Sequence, residues 1–540
     1  MPATPASTAA SSGPLAPARP DPPTGRPTVR SVSESVTSPD RDQFRALARD
    51  HVVVPVWREL LADLTTPVSL FARCVGDGEG FLLESVDRGE TWGRWSFIGR
   101  NPSLTLTSID GRLDVDGDLP DGVRSGDGIL AALEDLLAHY RSPAIGGLPP
   151  LHGGLMGYLG YDVVREVEHL PNVPPDDRGL PDAVMSVIGD LVAIDHWRQR
   201  AVLLVNVAVP EGADDGAIDV AYDDALLRLE ALAADGARPL DEPLMAPPDP
   251  ADEPPEVTST MGSEAYGLAV EAAREHILAG DVFQVVLSQR FDVELEAEPF
   301  DVYRVLRQVN PSPYMYFLRY EDLSVVGASP EPMVQLLDGR VVSRPIAGTR
   351  RRGRTEAEDR RMAAELAEDP KEVAEHVMLV DLARNDVGRV VSFGTEEVEE
   401  MMTLERYSHV MHLTSQVAGD LADGKTPIDV LRATLPAGTV SGAPKVRAME
   451  IVDSLEPVKR GPYAGVVGYF DFSGNIDTAI AIRTMFVSGG VASVQAGAGI
   501  VADSVPELED LECRNKARAL LSTIPAARRM TAARRSANGG

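Results

Sequence analysis

Residues 465–499 read GVVGYFDF-SGN-IDTAIAIRTMFV-SGG-VASVQAGAG, three apolar runs of strand length parted by three-residue turns. The runs are rich in Val, Ile, Phe and Thr, residue types that fit a pleated, half-buried surface. Ser473-Gly474-Asn475 and Ser488-Gly489-Gly490 are too short for a parallel crossover, which takes about a dozen residues, so the strands are expected to be antiparallel neighbours. Upstream, 184–194 and 202–207 repeat the hairpin-like pattern. Helical periodicity is expected at 265–279, 355–368, 371–386 and 506–522. Asp369-Pro370 marks a helix start, since Asp suits the N-cap and Pro the first helical position. The expected class is α/β (α+β): large antiparallel sheets forming a sandwich-like core, with helices packed outside.

The 540 residues suit two or three domains, or one interleaved fold, at about 100–200 residues per domain. Proline and acid clusters at 238–260 read as a linker between globular regions at 45–237 and 261–525. Residues 1–44, rich in Pro, Ala, Ser and Thr, read as a disordered tail, and 526–540 as a frayed basic tail. No apolar run reaches the length needed to span a membrane, about 18 residues. A net charge of −32 argues against nucleic acid as a partner, because phosphate binding needs a cationic face. Cys74 and Cys513 cannot build a disulfide framework, which fits a reducing cytoplasm.

Two helices carry matched carboxylate pairs. Glu372 and Glu375 project from one face of the helix after Asp369, and Glu509 and Glu512 repeat the spacing in PELEDLECRNKARALL. Such a set suits Mg²⁺, a hard cation that uses one or two carboxylates and keeps several waters. Three Gly-containing segments, 345–349, 436–442 and 496–499, would allow close backbone approach to a ligand, and none has a nucleotide-binding spacing. Arg483 interrupts an apolar strand, so it either meets a buried carboxylate or binds an anionic ligand. His409 and His412 lie three apart in YSHVMHLTS.

Together these segments resemble the chorismate-utilising enzyme family. RPIAGTRRRG, EHVMLVDLARNDVGRV, YSHVMHLTS, PAGTVSGAPKVRAME, GPYAGVVGYF, DTAIAIRTM, VQAGAGIVADSVPE and ECRNKA are similar to that family's blocks and follow its order. The likeness covers about 265–520 well, and LLES, GRWSFIG and GGLMGYLGYD are similar to its N-terminal region. The resemblance implies Mg²⁺ ligands at Glu375 and Glu512, with outer carboxylates Glu372 and Glu509. It implies chorismate contacts at Gly348, Thr349, Tyr463, Arg483, Gly497, Ala498, Gly499 and Lys516. It implies catalytic roles for His412, in departure of the C4 hydroxyl, and for Thr439, and it gives none to His409.

Two positions separate branches of the family. Sister enzymes that resemble this chain carry a nucleophilic lysine where this chain has Ala347, and others carry a water-activating lysine where it has Gln284. What the resemblance then implies is ammonia attacking chorismate, with anthranilate and pyruvate as products, at the first step of tryptophan biosynthesis. Neither cysteine sits in a glutaminase context, so a glutamine amidotransferase subunit is expected to supply ammonia in a hetero-oligomer. The resemblance also implies feedback inhibition by L-tryptophan at Glu84, Ser85, Pro313, Tyr314, Met315, Val467, Gly468 and Tyr469, placing the effector site in an N-terminal regulatory region interleaved with the chorismate-binding region. The competing expectations are an aminodeoxychorismate-type synthase and a catalytically silent tryptophan-binding subunit.

Overall fold

A computed structural model describes residues 36–85, 93–240, 242–406 and 410–538, and Thr37–Gly540 form one compact unit. Among the described residues there are two antiparallel sheets, of 13 and 11 strands. The first sheet runs through Val53–Leu61, Arg200–Ala208, Asp190–Asp195, Trp95–Arg100, Gly80–Glu84, Tyr314–Arg319, Ser324–Ser329, Thr484–Ser488, Val491–Ile500 and Gln284–Glu294. The second runs through Ile346–Arg351, Val410–Asp420, Arg340–Ser343, Pro332–Leu337, Ile476–Ile480, Val466–Asp471, Gly154–Leu159, Ala183–Val187, Leu104–Ile109 and Arg112–Gly117. Each sheet takes strands from both halves of the chain. The seams are Gly80–Glu84 against Tyr314–Arg319 and Gly154–Leu159 against Val466–Asp471.

The sheets face each other across a shared layer containing Phe81, Phe97, Tyr316 and Phe486 from one and Met156, Tyr158, Val467 and Tyr469 from the other. Their outer faces are covered by helices, so the mixed α/β sandwich expected from sequence is the observed architecture. Helices form at Gly262–Leu278, Glu356–Glu368, Pro370–Gly388 and Pro506–Leu521. Asp369 caps the third of these through bonds from the Lys371 and Glu372 amides, with Pro370 in its first turn.

Four expectations need correction. The run 476–487 is two strands, Ile476–Ile480 and Thr484–Ser488, lying in different sheets. Likewise 184–194 divides between sheets at Ile188-Gly189. Apolar patterning reports burial on both sides of a strand and is blind to a change of sheet. Regular structure is present before residue 45: Thr37–Ser38 pair with Trp57–Arg58, and Asp40 forms a capping box with Gln43 on the helix Arg41–Ala48. The basic stretch after 525 is helical over Ile524–Asn538. Its charges find partners that a sequence does not display: Arg529 pairs with Asp252 at 2.6 Å, Arg534 with Glu242 at 3.1 Å, and the Thr531 hydroxyl donates to Asp301 at 2.8 Å.

Candidate active site

Two neighbouring chain segments cross between the sheets side by side. Ser324–Ser329 passes to Pro332–Leu337 through Pro330-Glu331, and Ile476–Ile480 passes to Thr484–Ser488 through Ala481-Ile482-Arg483. They stay tied at the crossing, where the Ile480 amide donates to the Glu331 carbonyl at 3.0 Å and the Ala328 amide to the Arg483 carbonyl at 3.0 Å. Arg483 takes a left-handed backbone, φ +50°, which costs a side-chain-bearing residue energy and turns it out of the ladder. Pro330, Glu331, Ile482 and Arg483 all line one cavity of about 230 Å³.

The same cavity brings together Thr349, Glu375, His412, Thr439, Tyr463, Gly497, Gly499, Glu512 and Lys516, residues scattered over more than 160 positions (349 to 516). Ala347 and Gln284 also line it, and the Gln284 amide donates to Glu375 at 3.0 Å. Lys516 donates to the Gly497 carbonyl at 2.7 Å and meets Glu512 at 2.6 Å. Among the described residues no carboxylate forms an ion pair with Arg483. Burial lowers its pKa, while Tyr463, Glu512 and Glu331 oppose that shift. Of the two readings of this strand arginine, the cavity favours a guanidinium kept for an anionic ligand.

His412 shares its Nδ1 with the Thr349 hydroxyl at 2.9 Å and the Gly348 carbonyl at 3.2 Å, and burial lowers its pKa. Gly348 has φ +69° at a bulge in its strand, and a Cβ there would press on Leu366 at 2.9 Å. Ala498 points away from the cavity, among Tyr266 and Cys513, while Gly497 and Gly499 alternate onto the cavity face. Glu372 is engaged by Arg350 at 2.8 Å. Burial raises the pKa of Glu509, and the charge of Glu512 adds to the shift. His409 lies outside the described residues.

Among the described residues no three His, Cys, Asp or Glu side chains converge as a metal cage. Glu375 and Glu512 nevertheless open on one cavity, on two different helices. That donor set fits an ion completing its shell with water and substrate.

Glu331 was not singled out from sequence. Burial pushes its pKa to about 7, against the nearby Thr439 hydroxyl and the charges of Arg483 and Lys516. The signal that could have found it is Ser329-Pro330-Glu331-Pro332, a carboxylate between prolines separating two apolar strands.

The residues matched to an effector also gather, between the sheets. Glu84 faces Met315 in the ladder, and the Tyr314 hydroxyl donates at 2.9 Å to Asp477, the register partner of Tyr469. Val467 and Gly468 continue the strand of Tyr469, and Pro313 precedes Tyr314. The buried Ser85 hydroxyl has no hydrogen-bond partner among the described residues. Glu84, however, is already held by the Tyr303 phenol at 2.6 Å and by Arg307 at 2.7 Å.

Residues 87–522 match the family described as chorismate binding enzyme. Anthranilate synthase component 1 of Mycolicibacterium smegmatis is 48% identical over 494 residues, 90% of this chain and 94% of that protein. The protein of the same name from Acetivibrio thermocellus is 45% identical, covering 90% and 98%. The crystal structure of anthranilate synthase component I from Streptococcus pneumoniae superposes with a TM-score of 0.70 at 38% identity, covering 79% of this chain and 92% of that one. The menaquinone-specific isochorismate synthase of Escherichia coli shares the fold, with a TM-score of 0.64 at 17% identity over 89% and 98%. A cavity that gathers Arg483, Lys516, Glu375 and Glu512, carried on a fold and sequence of this kind, places the chain in the chorismate-binding enzyme family, with the anthranilate synthase component 1 proteins.

Proposed function

We propose that this chain converts chorismate and ammonia to anthranilate and pyruvate, with Mg²⁺ held by Glu375 and Glu512. The observation that carries this reading is the cavity itself. Arg483 and Lys516 stand ready for one carboxylate of a dicarboxylic substrate, and the glutamate pair can hold the ion that meets the other. At the two positions where related chemistry uses a lysine, the wall has Ala347 and Gln284, and neither supplies an amine nucleophile or a base.

When bound, Mg²⁺ neutralises and orients the ring carboxylate. Arg483, Tyr463 and Lys516 hold the enolpyruvyl carboxylate. As the ammonia nitrogen bonds to ring C2, the ring double bonds shift and the C4–O bond breaks. Glu331, protonated up to about pH 7, gives its proton so that the hydroxyl leaves as water. The attached ammonium releases a proton to solvent. In the second step the C2 proton is removed and the C3–O bond breaks, freeing enolpyruvate, which becomes pyruvate, and leaving the aromatic ring. His412, kept neutral by burial, is suited to accept that C2 proton, which leaves donation to the departing hydroxyl with Glu331.

Ammonia comes from a separate glutamine amidotransferase, and the working enzyme is a cytoplasmic hetero-oligomer. Both cysteines are buried, and burial pushes their thiols up to about 11 for Cys74 and about 12 for Cys513. A thiol of that kind cannot act as a glutaminase nucleophile. The name component 1 carried by the relatives fits a second component. No helix among the described residues is long and apolar enough to cross a membrane.

Tryptophan inhibits by binding between the sheets, beside Ser85, Tyr314 and Tyr469. The effector's ammonium goes to Asp477 rather than to Glu84, whose charge Arg307 already meets. Among the described residues the donors to Asp477 are neutral, Gln335 and Tyr314, and burial pushes its pKa to about 6, so it is ionised at neutral pH and suited to a cation. Its strand leads directly to the Arg483 crossing, a physical route for coupling.

The test is product analysis with chorismate, Mg²⁺ and excess ammonium. Fluorescent anthranilate with equimolar pyruvate is expected, glutamine alone should give none, and a product that keeps the enolpyruvyl group would refute the assignment. Ser85→Phe and Asp477→Asn should each weaken tryptophan inhibition while leaving uninhibited turnover near wild type. Wild-type sensitivity in both variants would remove the effector site from this location.

A further inference from the structure

Gln495 lies in the strand Val491–Ile500, two residues from Gly497 and therefore on the same face, and its side chain lines the main cavity. It is 7% exposed, and its Oε1 has no hydrogen-bond partner among the described residues. A buried carbonyl left unpaired is costly, of order 1–3 kcal/mol, and calls for a ligand. The amide orientation is fixed by a chain of donors. Arg460 donates to Glu456 at 2.6 and 2.9 Å, and the Ser288 hydroxyl also donates to Glu456, at 2.9 Å. With its proton spent there, Ser288 can only accept, and it does so from Gln495 Nε2 at 2.8 Å. Oε1 must therefore face the other way.

Gln495 and Tyr463 together also wall a second, smaller cavity, of about 20 Å³, which reaches toward the exposed residues Asp176 and Asp177. That is room for a single molecule the size of water. The cations around it are already matched: Arg290 with Asp177 at 2.5 Å, Lys459 with Asp110 at 2.8 Å, and Arg460 with Glu456. Beside the unpaired Gln495 oxygen, a small hydrogen-bond donor is what fits.

We propose that Gln495 binds the ammonia nucleophile at the back wall of the main cavity, and that the small cavity behind it is an ammonia chamber serving that site. The inference rests on the reading of this chain as an ammonia-dependent aminase. Ammonia gives an N–H to Gln495 Oε1 and keeps its lone pair for the ring.

The test is steady-state kinetics of the full chain with ammonium salts, Mg²⁺ and chorismate, comparing wild type with Gln495→Met. The KM for ammonium should rise at least about tenfold, as loss of one hydrogen bond implies, while the KM for chorismate stays within about twofold. Ser288→Ala, which frees the amide to turn over, should move the ammonium KM in the same direction by a smaller factor, and carries the test alone if Gln495→Met does not fold by circular dichroism. A chorismate KM that rises instead assigns Oε1 to chorismate and overturns the proposal, as does an unchanged ammonium KM. If wild type with ammonium makes no anthranilate, the aminase reading itself fails and this proposal falls with it. Wild-type turnover beside an unaltered ammonium KM in the variants overturns this proposal and leaves the aminase reading standing.

Discussion

Glu331 sits between two prolines, which withhold ladder donors and leave its carboxyl in a cavity wall rather than on a sheet face. Glu331→Gln cannot give up a proton, and its kcat should fall about 100-fold or more in ammonium-dependent assays, with substrate KM values little changed. The sign of the pH effect follows from the raised pKa. Activity that needs the protonated carboxyl is present below about pH 7 and falls as pH rises through that value, at constant free ammonia. The folded chain keeps this proton between the ordinary value of 4.5 and about 7, whereas the unfolded chain releases it. Stability from this group therefore declines as pH rises across that window and is level above it. Glu331→Gln should remove that decline and melt no lower than wild type at pH 8, and a variant that melts lower would contradict the burial argument.

At the scale of elements, the sequence-visible helices carry the glutamates, but the crossings between sheets carry Glu331 and Arg483. A run such as IDTAIAIRTMFV looks continuous because both of its halves are buried, and only the positive φ at Arg483 breaks it. The terminal helix Ile524–Asn538 is a second case, since its polar face is satisfied by Asp301, Glu242 and Asp252 from distant segments. Asp301 is fully buried and serves Thr531, Arg534 and Arg304. Asp301→Ala should cost about 2–3 kcal/mol, the low end for a buried ion pair because the arginines keep some exposure. Thermal unfolding should show this as a melting temperature lower by about 2–3 °C, and an unchanged one would mean that the helix is not held by these contacts.

For the molecule as a whole, the two regions on either side of 238–260 are not independent, because each sheet changes region at an interior seam. Expressed apart, 36–240 and 258–540 would each expose unpaired strand edges and half of the layer between the sheets, and both should be insoluble. Cleaving only the peptide bond near 248 in the folded chain should leave the pieces associated and active, since no helix or strand runs there. A separately folded, monomeric 36–240 would contradict the shared-sheet architecture.

Local patterning determined the antiparallel hairpins, the helix starts, the paired glutamates and the glycine-rich face of Val491–Ile500, because each depends on residues a few positions apart. The ordered motifs also brought the family into view, and with it the chorismate-site residues. Tertiary structure alone decided which carboxylate is protonated, which cation is left bare and which amide oxygen lacks a partner. Glu331, Arg483 and Gln495 owe those states to burial and to neighbours as many as 207 positions away, such as Ser288 beside Gln495. The desolvation and pairing that set a charge or free a hydrogen-bonding atom exist only once distant strands have come together.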